Sequence, residues 1–234
     1  MIQTLELTVI LAKQETPTVR SIKLGFSGKF EYKPGQHAIV ELDTGGQESN
    51  RPLSIASSPT EDFILLSTKI SQSPFKKSYA GLKAGDKVNL MGPLGTFFLD
   101  EGAKHIVLMG GGIGITPFRS MIKYASDKSL PIKITLIYSN RNPNEICYKD
   151  EWPLFEKENK NLKVINTITE PEFANWGGRV GRINETLIKE FSDDFGNTLF
   201  YICGPPAMVD ALLQILKSMS VPAKNIRIEK FAGY

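Results

Sequence analysis

The repeat of the hydrophobic pattern changes once along this chain, near residue 102, and that change limits the available folds more than any other feature. Before it, apolar residues recur at every second position in short runs: Leu5 to Leu11, Val19 to Phe26, His37 to Leu42, Leu53 to Ala56, Phe63 to Ile70 and Lys87 to Met91. Successive side chains of a strand point to opposite faces, so period two marks strands with one buried side. Lys33-Pro34-Gly35, Asp43-Thr44-Gly45-Gly46 and Ala84-Gly85-Asp86 break the runs. Six short strands at this spacing predict an antiparallel barrel, interrupted by a short helix near Pro74 to Leu82.

After Asp100-Glu101-Gly102 the pattern becomes strand, turn, helix, strand. Strands are predicted over His105 to Met109, Ile132 to Tyr138, Leu162 to Ile168 and Thr198 to Cys203. Helices are predicted over Pro117 to Ala125, Asp150 to Glu158, Asn184 to Phe191 and Pro206 to Met219. Such alternation predicts a doubly wound parallel sheet covered by helices. Two domains are expected, residues 1–102 and 103–234, each long enough for its own core.

Composition removes several functions. With 28 Lys+Arg against 25 Asp+Glu and no long basic run, nucleic acid is a poor partner. Neither Cys147 nor Cys203 has a second Cys or His at zinc or iron–sulfur spacing, so no metal is expected and a redox role needs an organic cofactor. Met1 to Leu7 alternates polar and apolar residues and includes Glu6, which reads as a strand rather than a leader. No apolar stretch approaches the ~20 residues of a membrane span, so the expected location is the cytoplasm.

Three motifs carry chemistry. Arg51-Pro52-Leu53-Ser54 opens a strand: a guanidinium that can clamp phosphate, a proline that fixes the backbone direction, and a hydroxyl. Met109-Gly110-Gly111-Gly112-Ile113-Gly114-Ile115-Thr116-Pro117 lies between a strand and a helix. Four glycines within five residues favour a ligand over a plain turn, although Ile115 departs from strict G-x-G-x-x-G. Cys203-Gly204-Pro205-Pro206 ends a second strand, and the carboxyl ends of strands line the ligand crevice of such sheets.

In this order, with Gly92-Pro93-Leu94-Gly95-Thr96-Phe97 closing the barrel, the motifs resemble the ferredoxin–NADP reductase superfamily over nearly the whole chain. The resemblance implies a six-stranded Greek-key flavin-binding barrel followed by a nicotinamide-binding α/β domain. It implies that Arg51, Pro52, Leu53 and Ser54 hold the flavin, with Leu53 in place of the usual aromatic, and that Ser54 sits beside flavin N5. The family's G-x-x-S phosphate segment falls here on Ser73 and Lys76, so Thr68, Lys69, Ile70 and Lys76 are the expected phosphate side. FAD is favoured over FMN.

For the nicotinamide cofactor the resemblance implies Gly111, Gly112, Ile113, Gly114, Thr116, Cys203, Gly204 and Pro205, with Arg141 on the adenosine side. Ile168-Thr169 before Glu170 stands where many NADPH users carry Ser-Arg, which tilts NADH against NADPH. At the C-terminus, over Arg227 to Tyr234, Phe231 matches the aromatic that covers the flavin and Glu229 that aromatic's acidic neighbour, with Tyr234 an alternative to Phe231; read without the resemblance, the segment is a frayed apolar tail. Ser54, Cys203 and Glu229 are the expected catalytic groups. The implied reaction is hydride transfer from NAD(P)H to flavin, then electrons to ferredoxin, flavodoxin or an oxygenase component.

Lys69, Lys76, Lys77, Lys83 and Lys87 against Asp86 form a local excess that can steer an acidic carrier or be an ordinary solvated face. The rival readings are a free-flavin reductase and a non-catalytic electron-transfer subunit of a larger complex.

Overall fold

The computed structural model describes residues 2–26, 28, 30–45, 49–170, 172 and 176–231. Tyr234 therefore lies outside the described residues. The chain divides into two compact units, Met1–Leu99 with Thr116–Tyr124, and Asp100–Ile115 with Ala125–Tyr234.

The first unit holds β1 (Gln3–Thr16), β2 (Val19–Gly25), β3 (His37–Glu41), β4 (Asn50–Ser54), β5 (Ile64–Lys69), α1 (Pro74–Gly81) and β6 (Lys87–Leu94). All its ladders are antiparallel, in the order β4-β3-β6-β1-β2-β5. The two ends of this sheet meet through an antiparallel bridge between Ile55 and Leu66, and the Ala56 N–H donates to the Leu65 carbonyl at 2.8 Å. The strands thus close on themselves, which satisfies the edges that an open sheet leaves bare.

Alternation fills the interior with Leu7, Val9, Ile22, Leu24, Val40, Leu53, Ile55, Leu66 and Leu90. It is interrupted where a register shifts, most visibly in the first ladder. The register between β1 and β2 shifts between Val9 and Leu11, leaving Ile10 and Leu11 exposed. An extra residue in one strand of a pair re-aims the side chains that follow it.

The second unit holds β7 (His105–Gly111), β8 (Lys133–Asn140), α3 (Trp152–Glu158), β9 (Leu162–Ile168), β10 (Arg179–Val180), α4 (Glu185–Lys189), β11 (Thr198–Gly204), α5 (Pro206–Ser218) and β12 (Ile226–Lys230); α2 (Thr116–Asp127) follows β7 in the chain. Every strand is parallel, in the order β10-β9-β8-β7-β11-β12. Strand order reverses between β7 and β11, which are neighbours although β8, β9 and β10 lie between them in sequence. This is the doubly wound arrangement, with its ligand crevice outside the carboxyl ends at that reversal. The core runs over Val107, Met109, Ile137, Phe200, Ile202, Val209, Leu212 and Leu216. No helix among the described residues is long and apolar enough to cross a membrane.

Candidate functional site

In the first unit the site begins with helix α1. Ser73 is its N-cap, its hydroxyl accepting the Lys76 N–H at 3.4 Å, and Pro74 takes the first turn, where a missing N–H costs nothing. The helix therefore starts where it buries Phe75, Lys76 and Tyr79. Lys76 is 7% exposed, and its ammonium donates to the hydroxyl of buried Thr68 on β5. The Arg51 guanidinium of β4 lies 5.9 Å from the centre of the Phe75 ring, within cation–π reach, and donates to the Asn50 carbonyl at 2.8 Å.

Burial first, and the Arg51 charge second, push the Lys76 ammonium down to about 8. A lysine this deep usually brings a counter-ion. No carboxylate pairs with Lys76 among the described residues. The Lys76 ammonium and the Thr68 hydroxyl, with the Arg51 charge nearby, thus form a place where a phosphate would balance the buried lysine.

The neighbouring residues divide. Ser54 is 4% exposed, and its hydroxyl has no hydrogen-bond partner among the described residues, which suits a ligand's polar atom. Leu53 is 8% exposed and belongs to the barrel core, while Pro52 is exposed on a strand at the sheet's end. Lys69 is half-buried, and the Ile70 N–H is taken by the Thr18 carbonyl at 2.8 Å, so it is not available to a phosphate.

One cluster escaped the sequence reading. Arg119 of α2, 4% exposed, grips the Glu61 carboxylate with both terminal nitrogens, at 2.8 and 3.0 Å, and donates to the Ala56 carbonyl at 2.9 Å. Ser120 and Tyr32 donate to the Ser57 carbonyl at 2.6 and 3.0 Å. Burial drives the Tyr32 phenol above its ordinary value.

In the second unit β7 ends at Gly110-Gly111 and passes through a tight turn, Gly112–Ile115, before α2. Gly112 has φ +53° and Gly204 φ +155°, conformations that favour glycine. A Cβ on Gly114 would fall against the Cys203 carbonyl, 2.6 Å from its carbon and 2.7 Å from the Gly204 Cα. The ends of β7 and β11 can meet only because that position carries no side chain. Ile113, Gly114 and Thr116 are buried, Gly112 is half-buried, and Thr116 groups with the first unit.

Cys203 is fully buried and stands opposite Glu229 in the β11–β12 ladder. Burial, reinforced by Glu229, holds the Cys203 thiol well above its ordinary value, so it is a neutral donor rather than a thiolate. Burial alone lifts Glu229 to about 7. Of the segment read without the resemblance as a frayed tail, the residues up to Lys230 belong to strand β12, and the Phe231 N–H donates to the Gly204 carbonyl at 3.0 Å. Glu229, Phe231, Cys203, Gly204 and the Gly111–Gly114 turn are thereby brought together, with exposed Pro205 leading into α5. Arg141 is exposed just beyond β8; its carbonyl receives the N–H groups of Thr169 and Glu170 at 3.2 and 2.8 Å.

A parallel sheet with glycine turns at the reversal of its strand order is the arrangement in which doubly wound folds take dinucleotides. Residues 108–214 match the oxidoreductase NAD-binding domain family. One component of the Na(+)-translocating NADH-quinone reductase of Pseudoalteromonas atlantica is 32% identical over 206 residues, 80% of this chain and 50% of that protein. The corresponding component from Yersinia pestis is 33% identical over 200 residues, 78% and 49% of the two chains. The chain thus spans about half the length of these relatives.

Among solved structures, an Amycolatopsis cytochrome P450 reductase superposes with TM-score 0.85 at 23% identity, over 98% of this chain and 70% of that one. A Neisseria gonorrhoeae ferredoxin NADP+ reductase with bound FAD and NADP gives 0.82 at 22%, over 97% and 98%. These solved structures share the fold of this chain over nearly its whole length.

Proposed function

We propose that the chain is an NAD(P)H-dependent flavoprotein reductase, with residues 1–102 as the flavin domain and 103–234 as the nicotinamide domain. The observation that carries this reading is the Lys76 ammonium, buried near Arg51 and with no carboxylate of its own among the described residues. Neither packing nor stability calls for a lysine ammonium buried without a carboxylate, and a flavin phosphate would answer its charge.

Arg51, Lys76 and Thr68 would hold that phosphate, and Ser54 would donate or accept at the ring's polar edge. Pro52 and Leu53 set the strand that presents Ser54; Lys69 adds charge at the rim, and Ile70 contributes only its side chain. A bound flavin supplies the step the side chains lack, taking a hydride from dihydronicotinamide and releasing electrons singly.

Gly111, Gly112, Ile113, Gly114 and Thr116 would receive the dinucleotide pyrophosphate. Gly204 and Pro205 shape the turn at the nicotinamide, where Cys203 donates a weak hydrogen bond. Glu229 would offer a carboxylate to the nicotinamide ring, and Phe231 would supply an aromatic face to a ring cofactor. Arg141 would reach the adenosine. FAD is preferred to FMN and NADH to NADPH, with exposed Glu170 beside Arg141 disfavouring a 2′-phosphate.

The acceptor we propose is a one-electron carrier such as a ferredoxin, a flavodoxin or an oxygenase component, reached from the cytoplasm. A role within a larger redox assembly is the second reading, favoured by the relatives being subunits of an NADH-quinone reductase.

The test is a visible spectrum of the purified protein and identification of the released flavin, followed by stopped-flow reduction with NADH and with NADPH. A colourless protein that neither binds added flavin nor oxidises either nucleotide overturns the reading.

A further inference from the structure

The geometry points to Arg119 and Glu61 as a positioning pair that fixes the stretch after Ser54 to the first turn of α2, and so sets the rate of flavin reduction rather than the affinity for flavin. The inference rests on the reductase reading above.

Ser54 ends β4, and the chain then runs through Ile55, Ala56, Ser57 and Ser58 as a connection between strands. Such a connection has few ladder bonds of its own, yet here almost every polar group is engaged. The Ala56 carbonyl accepts from Arg119 at 2.9 Å, and the Ser57 carbonyl accepts from Ser120 at 2.6 Å and Tyr32 at 3.0 Å. The Ser58 N–H donates to the Glu61 carboxylate at 2.7 Å, and the same carboxylate receives both terminal nitrogens of Arg119. One guanidinium therefore holds the connection twice, directly at Ala56 and through Glu61 at Ser58. A planar fork against a carboxylate fixes direction as well as distance.

A buried ion pair adds little net stability over an apolar pair of the same shape, so its presence calls for another account. What this one supplies is position. Arg119 lies three residues after Thr116, on the same side of α2 and one turn from the helix start. The helix start follows the Gly112–Ile115 turn directly, and the held stretch follows Ser54 directly. The pair thus joins, within the first unit, the place that presents the Ser54 hydroxyl and the residue that begins α2. Neither residue belongs to the cation cluster of Arg51, Lys76 and Thr68, so flavin affinity should be largely spared.

The test uses R119M, R119K, E61Q and the exchanged double variant E61R/R119E in the full chain. Each is measured for flavin affinity by fluorescence quenching, for the rate of flavin reduction by NADH in stopped flow, and for melting temperature. R119M and E61Q are expected to slow reduction about ten- to a hundredfold, the range that a small misplacement of reacting groups produces, while flavin affinity moves less than about threefold. R119K, which keeps the charge and loses the fork, should fall between wild type and R119M.

The exchanged pair should regain part of the rate at a melting temperature no higher than that of E61Q. If R119M does not fold, E61Q carries the test, because it keeps the shape and removes the charge. Unchanged reduction in a folded E61Q, or a loss matched by an equal loss of flavin affinity, overturns the proposal. Wild-type protein that binds no flavin overturns the reductase reading instead.

Discussion

Lys76 and Glu229 carry titrations that two solution measurements can reach. An unfolded chain keeps the Lys76 ammonium near 10.5, whereas burial and Arg51 bring it to about 8 in the fold. Between those values the unfolded chain holds a proton that the native protein lacks, so the flavin-free fold gains stability as pH rises through 8. A phosphate reverses the sign by favouring the charged ammonium. Above pH 8 flavin binding must therefore take up a proton, and affinity should weaken by about tenfold between pH 7 and pH 9.5. K76M should bind more weakly at pH 7 and show no such slope; a slope that survives in K76M removes Lys76 from the phosphate seat.

Glu229, lifted to about 7 by burial, binds its proton more tightly in the fold than in the unfolded chain. Its contribution to stability is full at low pH and declines as pH rises through about 7. In the proposed role its carboxylate form would steady a nicotinamide ring turning cationic, so the rate of flavin reduction should climb through the same pH. A stopped-flow pH profile of E229Q should lose that inflection while flavin affinity holds.

The turn between β7 and α2 makes its own prediction at the scale of elements. Gly114 abuts the backbone of Cys203 and Gly204, so G114A cannot be absorbed by moving a side chain tip. Either the β7 turn or the end of β11 must shift, at a cost of about 1–3 kcal/mol in stability. Calorimetry should show that loss, and NADH affinity should fall at least tenfold while flavin binding in the barrel persists.

These elements also show what periodicity can and cannot reveal. Leu162–Ile168 was legible to the residue because a β-branched run bounded by turns admits one assignment. β12 was hidden because Ile226, Ile228 and Phe231 also fit an apolar tail, and only the ladder to β11 distinguishes the two. Glycines at a strand end announced a close approach without naming its partner; that partner, the Cys203 carbonyl, lies almost ninety residues away. Arg119 and Glu61 were invisible for the same reason. Both read as ordinary surface charges until the fold brings them together across 58 residues and buries Arg119.

At the scale of the whole molecule the question is how a partner is met. The sequence places Lys69, Lys76, Lys77, Lys83 and Lys87 in one stretch, enough charge to suggest a broad basic face. The fold reduces it. Lys76 is withdrawn into the barrel, and Lys87 leans on the Glu6 carboxylate at 3.5 Å and the Thr8 hydroxyl at 3.0 Å. Lys77 and Lys83 remain exposed, with Lys69 half-buried.

Exposed charges at such spacing are screened within about 10 Å at 0.1 M salt, so the field they project is short. Reduction of an acidic carrier should consequently fall only about two- to fivefold between 50 and 500 mM salt, while reduction of a neutral dye stays level. K77E/K83E should flatten the carrier's salt curve without altering NADH-driven flavin reduction, since neither lysine touches a proposed cofactor contact. A hundredfold salt effect would require a larger basic surface than these lysines provide. Identical curves for carrier and dye would mean that the carrier docks by apolar contact or that electrons leave elsewhere on the surface.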